Sequence, residues 1–272
     1  MKIVESDVKL LEQGFGLGET DIFNAIEKAA RVCYHSEENP RVTSENFVKA
    51  LISKGHYRPL EFGTVYLTIP YESYKEDPNS SWWDELLQSP YTKYNFKNGY
   101  FFVTTNYRVL VEKNKIYSLQ FRPYKPTPLH PKRITVLWDP ISRAIADEFR
   151  THVSISSLME STRYCNYTKD RFGNELTFVA SEKFLHADKY TKDEYDYMYR
   201  KLEGCYNRCI TDYEMKAEEA RDFLPLSIKT TMIQCAFEDD WKHFLKLRCD
   251  AAAHPDAKKL ANKLKDLLYE RN

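Results

Sequence analysis

The sequence contains very little glycine. Glycine accounts for eight of the 272 residues, and neither G-x-G-x-x-G nor G-x-x-x-x-G-K-S/T occurs. The glycines of these motifs let the backbone approach a pyrophosphate group closely, so the absence of the motifs argues against a Rossmann or P-loop nucleotide site. The G-x-S-x-G motif that carries the nucleophile of many hydrolases is also missing. A hydrolase of that type is therefore unsupported.

The chain also lacks net charge, because 40 Lys and Arg residues balance 40 Asp and Glu residues. A neutral protein has no general field that attracts nucleic acid or an anionic membrane, so a few well-placed cations must hold any anionic ligand. No apolar run approaches the roughly 18 residues of a membrane-spanning helix. The N-terminal sequence MKIVESDVKLLEQ has no apolar signal-peptide core. We therefore expect a soluble, cytoplasmic protein.

Cysteine is sparse, and the six residues are scattered: Cys33, Cys165, Cys205, Cys209, Cys235 and Cys249. A chain of this length needs no disulfide bonds to build a core. Cys205 and Cys209 are the only close pair, and neither a matching second pair nor an H-E-x-x-H motif accompanies them. This pattern favours buried thiols over a zinc site, so we predict no metal.

The hydrophobic pattern predicts an α+β fold, with one domain over residues 1–272 that contains a small sheet and several long helices. The predicted elements are a helix at 20–34, a helix from a Thr43 or Ser44 cap to Gly55, a strand at 62–70, a strand at 132–139, a helix capped by Asp139 with Pro140 as its first residue, a long helix from the capping box Thr191–Glu194 towards Pro225, a helix at 238–250 and a last helix from His254-Pro255. Arg143 and Asp147 are spaced to pair at i,i+4. The spacing of the long helix places Met198, Cys209 and Tyr213 on one face.

Residues 72–131 differ in composition from the rest of the chain, since they are rich in Tyr, Trp, Asn, Lys and Pro. Their apolar content is too high for a disordered tether, so we interpret them as an insertion within the domain. The run YFFVTTNYRVLVE inside the insertion predicts a strand. Aromatic residues beside basic ones also suggest single-stranded nucleic-acid binding. The zero net charge favours a core or interface role for these aromatic residues instead.

The stretch ESTRYCNYTKDRFGNELTFV, residues 160–179, crowds Ser, Thr, Arg, Tyr and Asn side chains together. Such side chains donate well to a phosphate, and Arg does so through two parallel hydrogen bonds. They are equally typical of a solvated loop, and most lone arginines lie on the surface. The other candidate anion-binding or acid–base residues are Arg221, Arg248, His56, Glu61 and His152. Periodicity alone does not bring these groups together.

The segment ESTRYCNY resembles the signature region of the flavin-dependent thymidylate synthases. That family has Arg-His-Arg, seven further residues, and then Ser-x-Arg-Tyr. Counting back from Ser161 places the triplet at Thr151-His152-Val153. The central histidine and the spacing agree with the family pattern, whereas both arginines are missing.

Four further segments resemble the same family in the same order: AARVCYHS with Cys33 in place of a serine, KGHYRPLEF, EEARDFLPLSIKT and WKHFLKLRCD. Together the five motifs touch residues 25–70 and 140–255, whereas the insertion matches no part of the family pattern. The resemblance implies an α+β fold in a homotetramer with shared active sites. It also implies reductive methylation of dUMP to dTMP, with methylenetetrahydrofolate as carbon donor and NADPH-reduced FAD as hydride carrier.

The resemblance also assigns site residues. The implied dUMP-binding residues are Glu148, Met159, Glu160, Ser161, Thr162, Arg163, Arg221 and Arg248. Arg248 is expected to contact the uracil and favour its ionised form, since a fixed guanidinium stabilises a developing anion. This would make Arg248 the catalytic residue. The Ser-Thr-Arg run would then clamp the phosphate of dUMP.

The implied FAD-binding residues are Cys33, His56, Arg58, Glu61, His152, Phe237, Asp239 and His243. The family commonly has Asn-x-Arg where this chain has Phe237-Glu238-Asp239. This chain therefore lacks the arginine of Asn-x-Arg as well as the two arginines replaced by Thr151 and Val153, so up to three cations near the flavin are missing. Each charge-assisted hydrogen bond to the pyrophosphate contributes about 1.5–3 kcal/mol. Arg58, Arg150 or basic residues of the insertion are candidates to replace them.

The altered triplet leaves two alternatives open within the family. One is a relative that transfers a different one-carbon group to a pyrimidine nucleotide. The other is a non-catalytic nucleotide-binding protein that retains the fold.

Overall fold

The structure is a computed structural model that describes residues 1–16, 18–33, 42–75 and 80–269. The last part of the AARVCYHS segment, residues 34–36, lies outside the described residues, as does the predicted end of the first helix. In the described ranges, no helix combines the length and the apolar character that a bilayer span requires.

The described strands are β1 (Lys2–Val4), β2 (Val8–Leu11), β3 (Thr64–Pro70), β4 (Lys93–Lys97), β5 (Tyr100–Asn106), β6 (Arg133–Ser142), β7 (Ser156–Met159), β8 (Thr177–Val179) and β9 (Lys229–Phe237). They form a four-stranded antiparallel sheet in the order β2-β6-β9-β7, a three-stranded antiparallel sheet in the order β3-β5-β4, and a parallel pair of β1 with β8. The predicted α+β class is therefore confirmed.

The described α-helices are α1 (Thr20–Val32), α2 (Ser44–Ser53), α3 (Tyr71–Lys75), α4 (Ser80–Leu87), α5 (Tyr107–Glu112), α6 (Arg143–Phe149), α7 (Glu182–Leu185), α8 (Lys189–Thr211), α9 (Ala217–Ala220), α10 (Glu238–Arg248) and α11 (Pro255–Tyr269). Short 3-10 helices lie at Arg58–Phe62, Ile116–Phe121, Asp170–Phe172 and Arg221–Phe223.

The four-stranded sheet carries α6, α10 and α11 on one apolar core, because β6 and β9 present alternating large side chains to these helices. Trp138, Phe149, Trp241 and Phe244 are all fully buried there, and their rings contact one another in tilted and edge-on arrangements. Aromatic side chains of this size contribute most of the buried apolar area of a core. This packing holds the C-terminal ends of α6 and α10 in place, and each of these ends carries candidate site residues.

A second apolar core joins α1 to the three-stranded sheet. Gly63 lies at the contact, where an added Cβ would come within 2.6 Å of the Ile22 side chain. Glycine is therefore required for the close approach of α1 to the start of β3. β5, which belongs to the predicted insertion, pairs with β3 from Thr64 opposite Asn106 to Pro70 opposite Tyr100.

The predicted helix ends are confirmed in part. Thr43 caps α2 by accepting from the backbone N–H of Asn46 at 3.3 Å, and Gly55 follows the helix with a φ of +70°.

The strand predicted through YFFVTTNYRVLVE is wrong in its second half. The Asn106 side chain accepts from the backbone N–H of Val109 at 3.1 Å and starts a helix there.

The predicted helix start at Asp139-Pro140 is wrong. β6 continues its pairing with β9 as far as Ser142, across a register shift between Trp138 and Ile141. The Ser142 hydroxyl then accepts from the backbone N–H of Ile145 at 3.3 Å and caps α6. Sheet pairing therefore prevails over the local Asp-Pro signal.

The predicted course of the long helix is also wrong at both ends. Asp188 caps α8 through the backbone N–H of Thr191 at 2.7 Å, before the expected capping box. The helix ends at Thr211, well before Pro225, and Glu214 follows with a φ of +53°. Met198 and Tyr213, expected on one face of the helix with the buried Cys209, are 60% and 70% exposed.

Candidate functional site

The C-terminal end of α6 brings two candidate residues close together. Glu148 lies in the last turn of α6, and the turn after it carries His152, whose backbone N–H donates to the carbonyl of Phe149 at 3.4 Å. The His152 ring packs on Phe244 of α10 at 4.8 Å between ring centroids. Burial of Phe149 and Phe244 therefore positions His152 beside the end of α10.

Arg248, the last residue of α10, joins both residues. Its Nε–H donates to Nε2 of His152 at 2.9 Å, and its Nη2 donates to the backbone carbonyl of Glu148 at 3.0 Å. Its Nη1 contacts the Glu148 carboxylate as an ion pair. The guanidinium of Arg248 is thus held on three sides, as the planar donor geometry of arginine allows.

Burial, followed by the positive charge of Arg248 and by the nearby His243, lowers the pKa of His152 to about 4. The ring is therefore neutral at pH 7. Since Nε2 accepts from Arg248, we assign the remaining ring proton to Nδ1. A neutral histidine beside a fixed guanidinium accepts a hydrogen bond and adds no second charge.

The start of the ESTRYCNY motif forms a tight turn at the end of β7. The backbone N–H of Ser161 donates to the carbonyl of Cys33 at 3.0 Å, so this turn meets the end of α1. The Ser161 carbonyl in turn accepts from the backbone N–H groups of Tyr164 and Cys165, at 3.0 and 3.1 Å. Two motifs that are far apart in the sequence are therefore in direct contact.

Glu160, next to this turn, is buried and hydrogen-bonded. Its carboxylate accepts from the Tyr167 hydroxyl at 2.9 Å, and Nζ of Lys229 lies 4.0 Å away. Lys229 also contacts Asp139 at 3.0 Å. A buried carboxylate requires such partners, since burying an unpaired charge is costly. Tyr167 and Lys229 were not among the predicted site residues, although Tyr167 lies in the ESTRYCNY motif and Lys229 in the EEARDFLPLSIKT segment.

Arg163 is exposed and pairs with Glu218 of α9 at 3.3 Å. Arg221 lies three residues after Glu218, in the short helical segment that continues α9, and is exposed. The ion pair therefore brings Arg163 to the same segment as Arg221. Two of the predicted phosphate-binding cations are therefore exposed at the same short segment.

The 3-10 helix Arg58–Phe62 carries the candidate flavin residues of the KGHYRPLEF segment. Nε of Arg58 donates to the carbonyl of Ser157 in β7 at 3.1 Å, and Arg58 is exposed. Glu61 accepts from Nη1 of Arg108 at 2.6 Å. His56 is exposed just before this helix.

Phe237 ends β9, and two cations lie over its ring. Nζ of Lys93 is 4.7 Å from the ring centroid, and the guanidinium carbon of Arg133 is 5.6 Å from it. Asp239 follows in the first turn of α10, where its carboxylate is 74% exposed and lies 3.7 Å from Lys93. The sequence offered basic residues of the insertion as candidates without singling out Lys93, and it did not predict Arg133, because a cation–aromatic contact between separate strands leaves no pattern in the sequence.

Arg143, Asp147 and Arg150 form a cluster of ion pairs at α6. Arg150, a candidate replacement for the missing arginines, is paired with Asp147 at 2.9 Å. Asp147 also accepts from Arg143 at 3.3 Å, which confirms the predicted i,i+4 pair on α6. In the ranges that the structure describes, no cluster of three or more His, Cys, Asp or Glu side chains is arranged to hold a metal ion.

Comparison with known proteins identifies the family. The family described as Thymidylate synthase complementing protein matches residues 105–271, which is more than half of the chain, and the protein belongs to that family. The matched region begins inside the predicted insertion and contains the segments around Ser161, Arg221 and Arg248. The AARVCYHS and KGHYRPLEF segments precede it.

One similar solved structure is the crystal structure of Thymidylate Synthase X from Helicobacter pylori with FAD and dUMP, at 18% identity and a TM-score of 0.38. The similarity covers 49% of this chain and 66% of that chain, so it spans just under two thirds of the length of that protein. A search of curated proteins finds no match.

Proposed function

We propose that this protein converts dUMP to dTMP by reductive methylation. The arrangement of Arg248 with Glu148 and His152 supports the proposal most strongly, because it joins the residues expected on the substrate and cofactor sides. These residues are 96 and 100 positions apart in the sequence, and the family match covers all three. The donor of the carbon would be methylenetetrahydrofolate, and the reductant NADPH.

Arg248 would act on the uracil ring. Its guanidinium is already oriented by Glu148, so little reorganisation accompanies binding. A guanidinium fixed beside the ring stabilises the negative charge that develops as the ring is ionised, which is the general advantage of a pre-oriented cation. Among the described residues, Arg248 is the candidate for this catalytic role.

Ser161, Thr162, Arg163 and Arg221 would hold the phosphate of dUMP, with Met159 and Glu160 beside the nucleotide. The exposed Arg163–Glu218 pair is weak in solvent, because surface ion pairs contribute little. A phosphate with up to two negative charges would compete well with Glu218 for Arg163. Binding of dUMP would therefore shift Arg163 from the carboxylate to the phosphate.

The residues present are compatible with FAD, which would supply the hydride when bound and reduced. Arg58 is an exposed cation, and Lys93 and Arg133 place two further cations at Phe237. These groups suit an anionic ligand such as the pyrophosphate. Of the residues assigned by resemblance, those on the flavin side would be Cys33, His56, Arg58, Glu61, His152, Phe237, Asp239 and His243.

We further propose a cytoplasmic homotetramer in which neighbouring subunits share active sites. Exposure of Arg163 and Arg221 supports sharing, since a site with its phosphate-binding cations on the surface is open to a second subunit. Light scattering coupled to size-exclusion chromatography measures the mass of the assembly. A monomer in the presence of FAD and dUMP would contradict this part of the proposal.

The proposal is tested by incubating the purified protein with dUMP, FAD, NADPH and methylenetetrahydrofolate, and by following NADPH oxidation and loss of dUMP together. We expect both to occur only when all components are present. Arg248→Met should abolish conversion, whereas Arg200→Gln, which removes a charge from an exposed pair with Asp196 on α8, should not. Flavin and dUMP binding without conversion would favour the non-catalytic alternative.

A further inference from the structure

A cavity of about 330 Å³ lies between the end of β9, the start of β6 and the loop that follows His152. The residues that line it include Lys93, Arg133, Val153, Ser154, Phe237 and Asp240. Its volume lies at the lower end of the roughly 300–1,000 Å³ of small-molecule sites, so it suits one part of a dinucleotide. Val153 is 97% exposed and occupies the last position of the altered signature triplet.

Arg133 is held firmly at one wall of this cavity. Its Nη1 donates to the carbonyl of Glu61 at 3.1 Å and to Oγ1 of Thr64 at 3.3 Å. Its Nε is buried and has no hydrogen-bond partner among the described residues. The guanidinium is therefore fixed in place, and its positive charge favours an anion in the cavity that it lines.

Lys93 is held loosely by comparison. Nζ lies over the Phe237 ring and is 3.7 Å from Asp239 and 3.8 Å from Asp240, both longer than a good hydrogen bond. The Lys93 side chain is 37% exposed. An ammonium held by such distant carboxylates can turn towards a stronger anion with little loss.

The charges that line the cavity leave a positive balance. Lys93 and Arg133 contribute two positive charges, and Asp240 contributes one negative charge, which gives a net charge of one positive unit. Asp239 lies beside Lys93 but does not line this cavity. The hydroxyl groups of Ser154 and Ser156 add neutral donors to the lining.

We propose that Lys93 and Arg133 bind the pyrophosphate of FAD in this cavity and replace the arginines that are absent at Thr151 and Val153. Lys93 comes from the insertion, so the insertion would complete the cofactor site. This inference rests on the proposed function, because it takes FAD as the ligand.

The test compares the affinity of the purified protein for FAD with its affinity for riboflavin, which has the same ring system without phosphates. Lys93→Gln removes the charge, Lys93→Arg retains it, and Lys97→Gln is the matched control. Lys97 lies on the same strand and is exposed, but it does not line the cavity. We expect Lys93→Gln to weaken FAD binding roughly ten- to hundredfold, the equivalent of one charge-assisted hydrogen bond, and to leave riboflavin binding unchanged.

Lys93→Arg and Lys97→Gln should bind FAD like the unchanged protein. Equal FAD affinity in Lys93→Gln and Lys97→Gln would overturn the inference while leaving the proposed function standing. Failure of the unchanged protein to bind either flavin would instead contradict the proposed function. In that case titration with inorganic pyrophosphate tests whether the cavity binds an anion. Weaker pyrophosphate binding by Lys93→Gln but not by Lys97→Gln supports an anion site at Lys93, and equal binding by the two variants overturns it.

Discussion

The Nε–H of Arg248 donates to Nε2 of His152 at 2.9 Å, so the last residue of α10 and the turn after α6 are joined by one hydrogen bond. His152 accepts this bond only while Nε2 is unprotonated. Protonation would place two positive charges in contact and break the link. The protonation state of His152 and the position of Arg248 are therefore coupled.

The first prediction concerns the titration of His152. Its pKa of about 4 arises from burial and from the charges of Arg248 and His243, against an ordinary value of 6.5. NMR titration of the ring should show this low value. Arg248→Met should raise the pKa of His152, because a repulsive charge is removed. An unchanged pKa in this variant would contradict the coupling.

The same pKa predicts how stability depends on pH. Because the pKa of His152 is lower in the folded state, the unfolded state binds more protons between pH 6.5 and about 4. The contribution of His152 to stability is thus complete above about pH 6.5 and is lost as the pH falls towards 4. Urea unfolding measured across this range should show that the free energy of unfolding falls as the pH falls. In His152→Asn, this fall should be smaller.

A second prediction separates phosphate binding from stability at Arg163. Its pair with Glu218 is exposed, so Arg163→Ala should change the free energy of unfolding by less than about 1 kcal/mol. The affinity for dUMP should nevertheless fall at least tenfold by calorimetry. Arg200→Ala breaks an exposed pair with Asp196 and should leave dUMP affinity unchanged. Equal dUMP affinity in both variants would remove Arg163 from the phosphate site.

The third prediction concerns how much the buried hydrogen bonds of Gln234 stabilise the fold. It is fully buried in β9, where its side chain accepts from Nε1 of Trp138 at 2.9 Å and donates to Oγ of Ser157 at 2.8 Å. Gln234→Leu leaves the indole N–H unsatisfied and should destabilise the fold by about 1–3 kcal/mol. Thermal or urea unfolding measures the effect.

The exposed Gln88 is a suitable control, and Gln88→Leu should stay within about 0.5 kcal/mol of the unchanged protein. Equal unfolding midpoints for the two variants would contradict the importance of the Gln234 hydrogen bonds.

A fourth prediction concerns the buried Glu160. Tyr167→Phe removes the hydroxyl that donates to its carboxylate at 2.9 Å, and should cost about 1.5–3 kcal/mol, as for a hydrogen bond to a charged group. Tyr190 is 74% exposed, and Tyr190→Phe should have almost no effect. If denaturant midpoints do not distinguish the two variants, Tyr167 does not stabilise Glu160.

Local chemistry in the sequence predicted several elements correctly, whereas tertiary pairing decided the rest. The Thr43 cap and the Arg143–Asp147 pair depend on residues a few positions apart, and both are present. The start of α6 was misplaced because strand pairing of β6 with β9 extends past Asp139 to Ser142. Similarly, α8 ends at Thr211 although the apolar pattern continues beyond it.

The candidate site shows the same division. Glu148 and Arg248 were predicted by resemblance to a family, not by spacing, since 100 residues separate them. No local pattern predicted that Lys93 and Arg133 lie over Phe237, because their strands meet only in the folded chain. The residues proposed to replace the missing arginines are therefore the ones that required the structure.

The central claim is that the protein adds a methyl group to dUMP, and the mass of the nucleotide product tests it directly. The purified protein would be mixed with dUMP, FAD, NADPH and methylenetetrahydrofolate, and the nucleotide analysed by mass spectrometry. We predict a product with the mass of dTMP, absent with Arg248→Met. A product that carries a different one-carbon group, or dUMP recovered unchanged by protein that binds both FAD and dUMP, would contradict the claim.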